Sequence, residues 1–219
     1  MVISKIEPQK RHPERVNLYV DGIFIDGFDR EVILRFGLRK GDQISEDILN
    51  KIRTSEKFVI ARKKAIHLIK SRLQSEKEII EKLRLKDFSP QIIEKVLENL
   101  KSTGLINDEK FARAYIHDIL LKKSTGRKYL AQKLSSKGIK RDIISTALKE
   151  LLSEDEEKSL LRKSAKLYIS RQRKSSKKID EQKIFQRTVQ YLLRRGFLLD
   201  QIMSVVKPLF KNNYATGED

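Results

Sequence analysis

The chain writes one short helical pattern three times, and this repetition constrains its fold more than any other feature. With Phe88, Ile139 and Phe197 aligned, a leucine stands five residues earlier in every copy, as Leu83, Leu134 and Leu192. Eight residues after the anchors come Val96, Ala147 and Val205, and twelve after come Leu100, Leu151 and Leu209. Asp87, Gly138 or Gly196 precedes the anchor, and four or five residues beyond it stand Ile92 with Ile93, Ile143 with Ile144, and Gln201 with Ile202. Residues three and four apart share a helix face, so the pattern reads as helix, tight turn, helix. A single-residue insertion would destroy the register, which makes chance similarity among leucine-rich helices the weaker explanation.

The anchors lie 51 and 58 residues apart (139 less 88, 197 less 139), leaving room for a third helix before each pair. Apolar spacing puts those helices at residues 56–72, 108–122 and 155–172. Capping boxes at Ser75/Glu78 and Ser153/Glu156, the Ser89-Pro90 pair, and Asn107 or Asp108 predict helix starts. Gly104, Gly138 and Gly196 predict stops. Before the repeats, Val16 to Val20 and Ile23 to Ile25 flank Asp21-Gly22, the signal of a two-residue hairpin turn. Val2 to Ile6 supplies a third strand, and Asp29 caps a short helix through Leu34 that Gly37 ends.

The expected fold is mainly α: three tandem three-helix repeats in an elongated, curved body, with a small N-terminal cap containing the β-hairpin. The expected boundaries are 1–54 for that extension, 55–105 and 106–152 for the first two repeats, and 153–219 for the third with its tail. Short helical units cannot bury their apolar faces alone and stack on their neighbours.

Charge is the second constraint. A formal net charge of +18 raises the self-repulsion of the compact state, a cost that a polyanion partner relieves. From Arg162 to Lys178 there is no acid among Arg162, Lys163, Lys166, Arg171, Arg173, Lys174, Lys177 and Lys178. A second group, Lys122, Lys123, Arg127, Lys128, Lys133, Lys137, Lys140 and Arg141, surrounds the turns of the middle repeat, and Arg194-Arg195 occupies the turn of the third. Such cations neutralise phosphates without reading bases. Tyr129 and Tyr168, interleaved with them, either stack on bases or border helices as amphipathic packing residues.

Catalytic chemistry finds no foothold. The chain has no cysteine, and His12, His67 and His117 lack neighbours at metal-ligand spacing. No phosphate-binding glycine loop or nucleophile elbow occurs. The run Glu154 to Glu157 points its acids around a helix start, where the helix dipole favours them without a metal. No apolar run suits a signal peptide or a membrane span, so a cytoplasmic protein is expected.

At the repeat residues the chain resembles the RecX family of bacterial recombinase regulators. The resemblance lies in Arg72 to Ile79 (RLQSEKEI), Asp87-Phe88, and Gly104 to Ala112 (GLINDEKFA). It continues in Gly126 ahead of Leu130 and Leu134, in Lys137-Gly138-Ile139, and in Arg194-Arg195-Gly196-Phe197. It spans about residues 56 to 210, with the first 44 similar to an extension found in part of the family. Leu73-Gln74 replaces a more usual x-Arg, and Asp87 replaces a turn glycine. The resemblance implies a non-enzymatic monomer without cofactor that lies in the groove of the RecA filament on single-stranded DNA. It further implies inhibition of ATP hydrolysis and strand exchange, within DNA repair, recombination and the SOS response. A sequence-nonspecific architectural protein on DNA or RNA, duplex DNA included, is the alternative.

Overall fold

The computed structural model describes residues 1–175 and 180–211. The chain divides into two compact units, Met1–Ile106 and Asn107–Asp219.

In the first unit, β1 (Ile3–Pro8), β2 (Arg15–Val20) and β3 (Ile23–Asp29) form an antiparallel sheet in the order β1-β2-β3. Asp21 and Gly22 both take positive φ, 50° and 82°, the requirement of the expected hairpin turn. Strand β1 begins one residue later and ends two later than Val2 to Ile6, because Val2 instead bridges to Gln43. Alternation along β2 turns Val16, Leu18 and Val20 inward, where Ile3 and Phe28 join them. These side chains bury against α1 (Arg30–Arg35, capped by Asp29) and the first half of α2 (Glu46–Ser71) through Val32, Leu49 and Ile52. The helix expected to start at residue 56 therefore starts ten residues earlier, at a cap supplied by Ser45. Its first half serves the sheet, while Ala61 and Ala65 in its second half pack on α3 (Glu76–Arg84) and α4 (Pro90–Ser102).

In the second unit, α5 (Asp108–Lys122), α6 (Arg127–Ser136) and α7 (Arg141–Leu151) surround one core. Helices α8 (Glu154–Ser175), α9 (Glu181–Arg194) and α10 (Leu199–Lys211) surround another. The expected three-fold repeat is visible in the backbone. In each repeat the anchor amide donates to the carbonyl five residues back: Phe88 to Leu83 at 3.4 Å, Ile139 to Leu134 at 3.2 Å, and Phe197 to Leu192 at 3.3 Å. This is the helix-ending bond that needs a left-handed residue before the anchor, and φ is 60° at Asp87, 83° at Gly138 and 80° at Gly196. Asp87 thus keeps the glycine conformation despite its side chain.

Leu83, Leu134 and Leu192 are fully buried in their respective cores. A fully buried leucine contributes about 1.5–3 kcal/mol by leaving water. One offset slips: in the second and third repeats Leu151 and Leu209 are half-buried, and the next residues, Leu152 and Phe210, take the core position that Leu100 holds in the first.

The second and third repeats are joined through the start of α6, where Gly126 offers no side-chain cap. The amides there find acceptors in the third repeat instead: Gly126 donates to the Arg195 carbonyl at 2.9 Å and Lys128 to the Gly196 carbonyl at 3.2 Å. Arg127 donates through its amide to Glu157 at 2.7 Å, and the Thr125 hydroxyl adds a bond to the Arg195 carbonyl at 2.6 Å. The two backbones approach so closely that a Cβ on Gly126 would overlap the Gly196 carbonyl, and one on Gly196 would overlap Tyr129.

Candidate nucleic-acid interface

The acidic run at the start of α8 separates into distinct jobs. Ser153 and Glu156 form the expected capping box, with backbone amides donating in both directions at 2.7 and 3.2 Å. The Ser153 amide, and its hydroxyl donating at 2.8 Å, hold the Glu156 carboxyl below its ordinary pKa. Glu157, whose side chain is only 3 % exposed, pairs with the Arg127 guanidinium at 3.0 Å, and Arg127 also donates to the Leu152 carbonyl. Arg127 therefore clamps the second and third repeats together, its guanidinium engaged by Glu157 and the Leu152 carbonyl. Periodicity held a signal for Glu157: it lies four residues before Leu161 and eight before Ala165, on the buried stripe of α8. Glu56 of α2 is its counterpart in the first unit, buried beside Leu49, Ile52 and Val59. It pairs with Arg15 at 2.8 Å and accepts the Asp29 amide at 2.7 Å.

Five of the expected cations converge on one groove of about 530 Å³ in the second unit, formed by the end of α5, one face of α8 and the end of α9. Lys122 and Lys123 line it from α5 and its cap, Lys163 and Arg171 from α8, and Arg195 from the α9 cap. Lys163, Leu167 and Arg171 are spaced by four, as are Ser164, Tyr168 and Gln172, so consecutive turns of α8 present them together. No carboxylate lines the groove among the described residues. With no internal anion to neutralise them, these cations produce a positive potential that the recessed walls focus. Leu121 and Leu167 add apolar surface, 72 % and 49 % exposed. Tyr191 and Tyr168 stack within the groove at 4.2 Å between centroids.

The other expected cations lie elsewhere. Arg173 is bound by Glu181 through two bonds, at 2.9 and 2.7 Å, and rests over the Phe210 ring, so its charge is compensated within the third repeat. Lys128 and Lys133 belong to α6, where Lys133 lies over the Tyr129 ring, and Lys137 is its C-cap. Lys140 caps α7 without a side-chain bond and Arg141 begins it, at the helix end whose dipole disfavours cations. Arg162, Lys174 and Arg194 are exposed on α8 and α9 outside the groove. Lys177 and Lys178 lie outside the described residues. Among the described residues no group of three or more metal-ligating side chains occurs, and no helix is long and apolar enough to cross a membrane.

Comparison with known proteins covers the chain almost end to end. Residues 1–45 match the RecX N-terminal domain, residues 61–100 the first RecX three-helix domain, and residues 107–148 the second. The regulatory protein RecX of Clostridioides difficile is 36% identical, over 95% of this chain and 95% of its own length. That of Bacillus subtilis is 29% identical, over 99% of this chain and 79% of its own. A crystal structure of a regulatory protein RecX superposes with a TM-score of 0.80 at 26% identity, covering 94% of this chain and 98% of that one.

Proposed function

Because the chain belongs to the RecX family of regulatory proteins, we propose that it binds the RecA filament on single-stranded DNA and lowers its ATP hydrolysis and strand exchange. The observation that carries this reading is the α5/α8/α9 groove, with five cations and no lining carboxylate. In it Lys122, Lys123, Lys163, Arg171 and Arg195 meet DNA phosphates, each contact releasing condensed counterions. Arg162, Lys174 and Arg194, with Lys128, Lys133, Lys137, Lys140 and Arg141 around α6 and the start of α7, meet filament carboxylates. The protein acts by occupancy, as a cytoplasmic monomer without a cofactor, and catalyses nothing itself.

A general architectural nucleic-acid binder is the competing reading, favoured by the same groove because phosphates alone satisfy it. The two separate in one experiment: ATP hydrolysis by the cognate recombinase on single-stranded DNA, with this protein added substoichiometrically. The proposal expects a dose-dependent fall at concentrations that leave most naked DNA unbound. Unchanged hydrolysis beside tight binding to naked DNA refutes it and leaves the architectural reading.

A further inference from the structure

The cationic groove contains more than charge. The Arg195 guanidinium lies 5.1 Å over the Tyr191 ring, and Tyr191 stacks on Tyr168 at 4.2 Å with only 13° between their planes. All three residues line the groove. Tyr191 is thus engaged by both a guanidinium and a stacked ring. No other ring or cation stacks on Tyr168 among the described residues, and it remains part-exposed. The far tier is held in place, since the Arg195 carbonyl accepts from Thr125 and Gly126 of the preceding repeat.

From this geometry we infer that Tyr168 is a stacking platform for an unpaired nucleobase, so that the groove selects single-stranded over duplex nucleic acid. The inference rests on the groove being the nucleic-acid contact and adds what that contact reads. An aromatic ring already stacked, and backed by a cation, loses little freedom when a base joins the column. A strand whose phosphates engage Lys163 and Arg171, five residues before and three after Tyr168 on α8, brings its bases to that ring. In a duplex each base is stacked on both faces and paired, so only its phosphates are available to the groove. Tyr129, the other tyrosine among the cations, is engaged elsewhere: Lys133 covers it and its backbone abuts Gly196.

The test compares three labelled probes by fluorescence anisotropy: oligothymidylate, an abasic strand of the same length, and the corresponding duplex. Tyr168→Leu keeps an apolar side chain on α8 and removes the π face. It should weaken oligothymidylate binding about 5- to 150-fold while leaving the abasic strand and the duplex within about twofold of wild type. Tyr168→Phe should bind all three as wild type does. Circular dichroism verifies that both variants are folded. Equal loss on all three probes, or no loss on any, overturns the inference. A Lys163→Glu/Arg171→Glu variant separates this failure from that of the groove itself: if it binds every probe as wild type does, the groove is not the contact and both readings fall.

Discussion

Removing the two partners of the Arg127–Glu157 pair one at a time should have unequal consequences, because their surroundings differ. Glu157 is 3 % exposed and Arg127 32 %. Arg127→Ala strands a carboxylate that water cannot reach. The amide of residue 127 still donates to it, as it now does at 2.7 Å, so the cost should fall near the lower end of the range for breaking a buried pair, about 3 kcal/mol. Glu157→Gln strands only a partly hydrated guanidinium that keeps its bond to the Leu152 carbonyl, while the new amide oxygen still accepts from residue 127. Its cost should be about 1.5 kcal/mol, because the ion pair is lost and the bond from the residue 127 amide is no longer charge-assisted. The double variant Arg127→Met/Glu157→Gln leaves no charge uncompensated and should cost less than Arg127→Ala alone. Urea unfolding at neutral pH gives all three values, and hydrogen exchange at the first amides of α6 localises the effect to the repeat junction. Equal costs for the two single variants, or a double variant whose cost is their sum, would refute this reasoning.

Phe197→Ala, at a side chain 1 % exposed in the third-repeat core, should cost about 3–5 kcal/mol and lower the urea midpoint. Gly126→Ala forces a methyl group onto the Gly196 carbonyl, where neither backbone can yield; about 1–3 kcal/mol should be lost, with faster exchange of the Arg127 and Lys128 amides. Glu150 and Glu156 are held below the ordinary glutamate value of 4.5, Glu150 by its bond to Arg113 and Glu156 by the bonds from Ser153. A folded value below the unfolded one gives stability that is full above pH 4.5 and is lost as pH falls through the folded value. Glu150→Gln/Glu156→Gln should therefore flatten the fall of the urea midpoint below that pH, and an equally steep fall would contradict the assignment.

The repeat was legible because each copy carries its own apolar stripe and turn residue, and both are local signals. Asp21-Gly22 likewise announced the hairpin. Local signals fail where a residue's partner is distant in sequence. Glu157 and Glu56 lie on buried stripes, yet their burial depends on Arg127 and Arg15, which sequence proximity does not indicate. The extent of α2 was missed because one helix serves two cores, its stripe running from Leu49 through Val59 to Ala65. The cations were legible in number more than in placement. A basic run wound into α8 radiates around the axis, so Lys163 and Arg171 reach the groove while their neighbour Arg162 does not. Arg173 found an acid eight residues later.

The groove's role is tested most directly by the salt dependence of single-strand binding. Each phosphate contact contributes a slope of about −0.7 in log K against log salt, so Lys163→Gln/Arg171→Gln should make the slope shallower by about 1.4. Arg162→Gln/Lys174→Gln, which removes the same charge from α8 outside the groove, should leave the slope as it is. Equal flattening by the two double variants would mean that the groove geometry is irrelevant and only total charge matters.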